Sequence, residues 1–94
     1  MEKKLNHLAG VYESYKGVLQ MTVVKKGGLL FLESKEKYWQ SAPLIPVSDN
    51  IDDWENYIIT ASGEKTLVEF TVDASENVDL YLERYILHKI AQSR

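Results

Sequence analysis

Beyond residue 10 the apolar positions of the chain fall in short runs, each closed by glycine, proline or a polar cluster. Residues 18–25 carry Leu19, Met21 and Val23 on one side of a two-residue period and Gln20 and Thr22 on the other. Residues 66–73 repeat the pattern, with Val68, Phe70 and Val72 set against Leu67, Glu69 and Thr71. A period of two marks a half-buried strand, because successive side chains leave opposite faces of a sheet. Val11-Tyr12-Glu13-Ser14-Tyr15 and residues 54–61 are rich in the β-branched and aromatic residues that suit a pleated surface.

The punctuation between these runs predicts hairpins. Lys26-Gly27-Gly28 separates two apolar runs by a glycine pair that can supply the positive φ angles of a tight turn. The return run, Leu29-Leu30-Phe31-Leu32, is apolar on both faces and is expected to be covered on both sides. Polar turns are predicted at residues 34–37, 62–65 and 74–77, with a longer polar connection at residues 48–53. Residues 38–47 read as extended, but Pro43 and Pro46 cannot donate ladder hydrogen bonds, so this segment is an edge, a bulge or a bent strand end. Residues 78–90 read as one closing strand with Leu80, Leu82, Ile86 and Ile90 on a single face, although a helix face is the competing reading. Residues 5–9 fit about one helical turn before Gly10. Turns every 8–12 residues and short connections predict an all-β domain. It is an antiparallel up-and-down meander closed into a small barrel of about eight strands, with a short N-terminal helical turn. Residues 1–94 are expected to form this one domain, with the turn in 1–9 and the barrel in 10–90.

Composition narrows the functional classes. The 94 residues include no cysteine, which removes disulfides, thiolate catalysis and cysteine zinc sites. A formal charge of -3 with interleaved lysines argues against a nucleic-acid partner, since a duplex binder needs a basic face. The densest basic spots, Lys25-Lys26 and Lys35 with Lys37, fall at turns and read as solvated charge. No apolar run approaches the roughly 20 residues of a membrane span, and Met1-Glu2-Lys3-Lys4-Leu5-Asn6-His7 leads into no signal-peptide core.

Candidate chemistry is sparse. Ser34-Lys35-Glu36-Lys37 matches the S-x-x-K pattern of penicillin-binding proteins and β-lactamases, but it lies in a charged turn without a buried helix to align Ser and Lys. His7 and His88 stand near no serine in a strained elbow. Asp49, Asp52, Asp53 and Glu55 lack the spacing of a calcium loop and read as a solvated acidic loop. No catalytic residue, metal site or cofactor is therefore assigned. Arg84 is the exception to a plain core. Alternation puts it between Leu82 and Ile86 on the apolar face, where a guanidinium needs a partner such as Glu13, Glu55 or Glu69, or an anionic ligand, unless it snorkels to the rim. Arg84, His88 and Tyr12 are the candidate ligand contacts at the lumen or mouth. The eight tyrosines and tryptophans Tyr12, Tyr15, Tyr38, Trp39, Trp54, Tyr57, Tyr81 and Tyr85 lie almost wholly on strands, and would form a docking patch wherever several point outward.

Five segments, taken in order, carry a resemblance. They are Leu8-Ala9-Gly10-Val11-Tyr12, Val24-Lys25-Lys26-Gly27-Gly28-Leu29-Leu30, Pro43-Leu44-Ile45-Pro46, Val68-Glu69-Phe70 and the closing run 80–89. Together they resemble the lipocalin-like domain found C-terminal to β-lactamase-like serine hydrolases related to penicillin-binding proteins. The resemblance implies an eight-stranded barrel without catalytic residues of its own. It implies a serine hydrolase domain as partner, in the same polypeptide if this chain is part of a longer one, and an accessory role in assembly or access to that active site. Self-association into a homo-oligomer fits the same role. The alternative is a small binder of apolar or anionic ligands. Large inward candidates such as Leu19, Met21, Leu30, Leu32, Phe70 and Leu82 predict a filled interior instead.

Overall fold

The computed structural model describes residues 2–34, 41–48 and 54–92. Helix α1 (Glu2–Leu8) leads into strands β1 (Gly10–Ser14), β2 (Gln20–Lys26), β3 (Leu29–Ser34), β4 (Ala42–Pro43), β5 (Ile45–Pro46), β6 (Glu55–Ile59), β7 (Lys65–Val72), β8 (Val78–Leu82) and β9 (Tyr85–Ala91). All nine strands form one sheet in the order β4-β3-β2-β1-β9-β8-β7-β6-β5, with antiparallel neighbours. The sheet is thus two meanders joined where β1 pairs β9.

Its two edges belong to one stretch of chain. β4 pairs β3 and β5 pairs β6, with Leu44 between them donating its N–H to the Leu30 carbonyl at 2.8 Å. This nearly closes the barrel. Counting β4 and β5 as a single interrupted strand turns nine strands into eight. The prolines explain the interruption, since neither can donate to a ladder. The predicted edge or bent strand is therefore the seam of the barrel.

The interior is filled by side chains. Tyr12, Met21, Leu32, Phe70, Leu80 and Leu82 are all buried, and the rings of Tyr12 and Phe70 meet with centroids 6.0 Å apart at 60°. Each such side chain withdrawn from water contributes about 1.5–3 kcal/mol. The alternation predicted for β2 and β7 is observed, with Leu19, Met21, Val23, Val68 and Phe70 inside. The glycine hairpin is also present: Lys26 pairs Leu29 across Gly27 (φ +58) and Gly28 (φ +83). Positive φ at both central positions is what a two-residue turn of this hand uses.

Three expectations are corrected. First, β3 is covered on one face only: Leu30 and Leu32 are buried, whereas Leu29 is exposed and Phe31 half-exposed. Second, the N-terminal turn is a longer helix, Glu2–Leu8. Third, residues 78–90 are not one strand. A hairpin at Glu83 and Arg84 splits them, with Leu82 pairing Tyr85 and Glu83 at φ +55. Even-numbered residues face inward before that turn and odd-numbered ones after it. Leu80, Leu82 and Leu87 are therefore buried, while Ile86 and Ile90 lie on the outside. Arg84 accordingly occupies an exposed turn, not the apolar face, and needs no core ion pair.

Helix α1 covers one end of the barrel. Leu8 and Ala9 are buried, Leu5 packs against the core, and the Tyr12 hydroxyl donates to the Leu8 carbonyl at 2.6 Å. Burial pushes the Tyr12 phenol well above its ordinary range, with the nearby negative charge of Asp79 adding to the effect. The last carbonyls of a helix lack partners within it. Here the chain's far end supplies them: Lys89 Nζ donates to the His7 carbonyl at 2.8 Å, and the Gln92 amide donates to the carbonyls of Asn6 and Ala9 at 3.0 Å. Partial burial lowers the Lys89 ammonium below its usual value. Beside this end, Asp73 accepts hydrogen bonds from the backbone N–H of Ser75 and Asn77, which orders the β7–β8 turn. The Asn77 bonds hold its carboxyl below the usual carboxylate value.

Candidate functional site

The three residues singled out as ligand contacts are not brought together. Tyr12 is enclosed in the core with its hydroxyl spent on Leu8. Arg84 is in the β8–β9 turn. His88 lies on the outer face of β9, where Nδ1 is 2.6 Å from Asp79 Oδ1 on β8. Among the described residues no three His, Asp or Glu side chains are grouped to hold a metal ion, and no helix is long and apolar enough to cross a membrane. Ser34 ends β3, while Lys35, Glu36, Lys37, Asp49, Asp52 and Asp53 lie outside the described residues. Of the acidic cluster, Glu55 opens β6 opposite Glu69.

The outside of the barrel is more informative. Around Glu13 the outward side chains are polar: it pairs Gln20 on one side and His88 on the other, and His88 in turn pairs Asp79, while Ile86 and Ile90 are exposed on either side of His88 along β9. The opposite arc differs. Ile45 pairs Tyr57, Tyr57 pairs Leu67, and Ile59 pairs Lys65. One strand further, Tyr81 pairs Glu69 and Ile86. Leu67 is 50% exposed and Ile86 48% exposed, large values for apolar side chains on the middle of a sheet. Contiguous exposed apolar surface with a polar border marks an interaction site.

Charge frames this arc in an ordered way. Along the outer side of β7 the sequence runs Lys65, Leu67, Glu69, a cation and an anion flanking an apolar centre. The Lys65 ammonium sits 4.7 Å from the Tyr57 ring centroid. A hollow of about 490 Å³ opens here, lined by Lys65, Leu67, Glu69, Tyr81 and Glu83 among others. A second hollow of about 410 Å³ lies at the barrel mouth opposite α1, between Ser41, Ile58, Thr60, Ser62 and Glu83. Its walls are hydroxyl and aliphatic groups with two carboxylates, Glu64 and Glu83.

In the sequence Leu67 falls with Glu69 and Thr71 on the side of β7 opposite Val68, Phe70 and Val72, and no motif there marks a site. A leucine on the polar side of a clean alternation was the available sign. Ile86 could not be found this way, because the hidden hairpin reversed its assigned face.

The comparisons agree with this architecture. No curated protein matches the chain. Among solved structures, the octameric penicillin-binding protein homologue from Pyrococcus abyssi aligns over 94% of this chain with 30% identity and a TM-score of 0.74. This chain spans only 20% of that one, so the likeness concerns one small part of a larger protein. The Pab87 octamerisation domain family matches residues 1–88, which takes in α1 and all the strands up to the middle of β9. The barrel fold thus has its counterpart in a known kind of module, and the chain belongs to the Pab87 octamerisation domain family.

Proposed function

We propose that this chain is an assembly module: a non-catalytic barrel through which copies of a larger protein related to penicillin-binding proteins associate, with an octamer as the finished state. The observation that carries the proposal is the family match across residues 1–88. The filled interior supports it, because a barrel packed with Tyr12, Phe70 and leucines has its free surface outside, where a partner docks, not in a ligand-holding lumen. Catalysis in such a protein belongs to a separate serine hydrolase domain, in the same polypeptide where this chain is part of a longer one. The barrel serves that domain by fixing how many copies surround it and how substrate reaches them.

Native mass spectrometry and sedimentation velocity of residues 1–94 test the proposal. Species at multiples of the 10.8 kDa chain, growing toward eight copies with concentration, are expected. A chain that stays at 10.8 kDa up to its solubility limit overturns it.

A further inference from the structure

We infer that the outer face of β7, centred on Leu67, is a self-complementary surface that binds the same face of a second copy of this chain about a two-fold axis. The inference rests on the assembly reading above and names the surface that carries it. A two-fold interface sets a patch against itself, so residues on either side of the axis must complement one another. β7 meets that condition in its outward order Lys65, Leu67, Glu69. Antiparallel apposition of two such strands with the axis through Leu67 places Lys65 of each copy opposite Glu69 of the other, and stacks the two leucines at the centre. Parallel apposition would set lysine on lysine and glutamate on glutamate, so the charges select the orientation as well as the partner.

The surroundings favour the same centre. Tyr57 flanks Leu67 on β6, and Tyr81 lies diagonally across on β8 beside Ile86. Aromatic anchors beside a central aliphatic group are the residues that dominate association energies. A barrel is convex, so two copies touching face to face meet over few strands. The hollow of about 490 Å³ beside Leu67 and Tyr81 offsets that, because it gives the opposing copy a concavity to enter. The arc through Glu13, His88 and Asp79 offers no such sequence of charges about an apolar centre.

Charge reversal tests the geometry. Lys65→Glu and Glu69→Lys are made singly and together, alongside Leu67→Glu, with circular dichroism confirming that each substitution on this outer face leaves the barrel folded. Dissociation constants come from sedimentation. Each single reversal is expected to weaken association by about tenfold or more, and the double reversal to recover most of that loss, since it restores one attractive pair per contact. Leu67→Glu is expected to weaken association further still. A wild-type chain that assembles while all four variants assemble equally well overturns the assignment of this face and leaves the assembly reading standing. A wild-type chain that never assembles overturns both.

Discussion

At one end of the barrel α1 is tied down by two groups far away in sequence, Lys89 and Gln92, which bind its last carbonyls, while Tyr12, close by in sequence, holds Leu8 from within the core. At the other end the strands are joined by turns that satisfy only their own neighbours. The Thr60 N–H donates to the Glu64 carbonyl, Val18 donates to Tyr15, and Lys16 and Glu83 both adopt positive φ. One end is closed by non-local contacts, the other is a rim of local turns around a shallow hollow. The contrast teaches where this small domain concentrates its long-range ties; left-handed backbone occurs at both ends, since Glu76 in the β7–β8 turn beside α1 also has φ +66.

Three substitutions probe that contrast, each followed by urea unfolding at one fixed chain concentration, because association adds to apparent stability. The largest effect is expected from Leu8→Ala. Leu8 is 1% exposed and seals the closed end, so its truncation should cost about 2–5 kcal/mol. A cost below about 1 kcal/mol would mean that α1 rests on the barrel without closing it. Gly10→Ala should come next. A methyl group at Gly10 would stand 2.6 Å from the Ala91 carbonyl oxygen and 2.5 Å from Lys89 Cε, crowding the β1–β9 junction. A loss of about 1–3 kcal/mol is expected, and a neutral result would show that β9 can shift outward freely. The smallest effect lies at the open rim and has the opposite sign. Glu83→Gly relieves a left-handed conformation that L-residues avoid, and should gain about 0.5–1 kcal/mol. A loss there would show that the Glu83 side chain supports the turn.

These two ends also differ in how far they could be read from the amino-acid sequence. The strands with clean alternation, β2 and β7, and the Gly27-Gly28 hairpin were legible because period and turn chemistry are local properties. The β8–β9 hairpin was not. Glu83-Arg84 carries no glycine, asparagine or aspartate to announce it, and a merged strand put Arg84, Ile86 and Ile90 on the wrong face. The seam was half legible: Pro43 and Pro46 marked an edge, but nothing local could say that both edges of the sheet meet on that one stretch. The candidate face lay in view as Leu67 among polar neighbours. Its meaning depended on Tyr57, Tyr81 and Ile86 arriving beside it from three other strands, and pairing across a sheet is a non-local fact. Tyr12, read as a candidate mouth contact, showed its role only when the helix above it was placed.

The pairing of β1 with β9 has a consequence for how the molecule comes into being. The first meander, β1 to β4, and the second, β5 to β9, each form from neighbouring hairpins, but they join through the first and last strands of the barrel. A chain emerging from the ribosome can assemble β1 to β3 early, yet β1 keeps a bare edge until residues 85–91 appear. The step that ends this exposure brings together Gly10–Ser14 and Tyr85–Ala91, a contact of long sequence separation and hence a slow one. Until it is made, an unpaired strand edge is open to neighbouring chains. The interval before β9 arrives is therefore the period in which this chain is most exposed to associating in the wrong way.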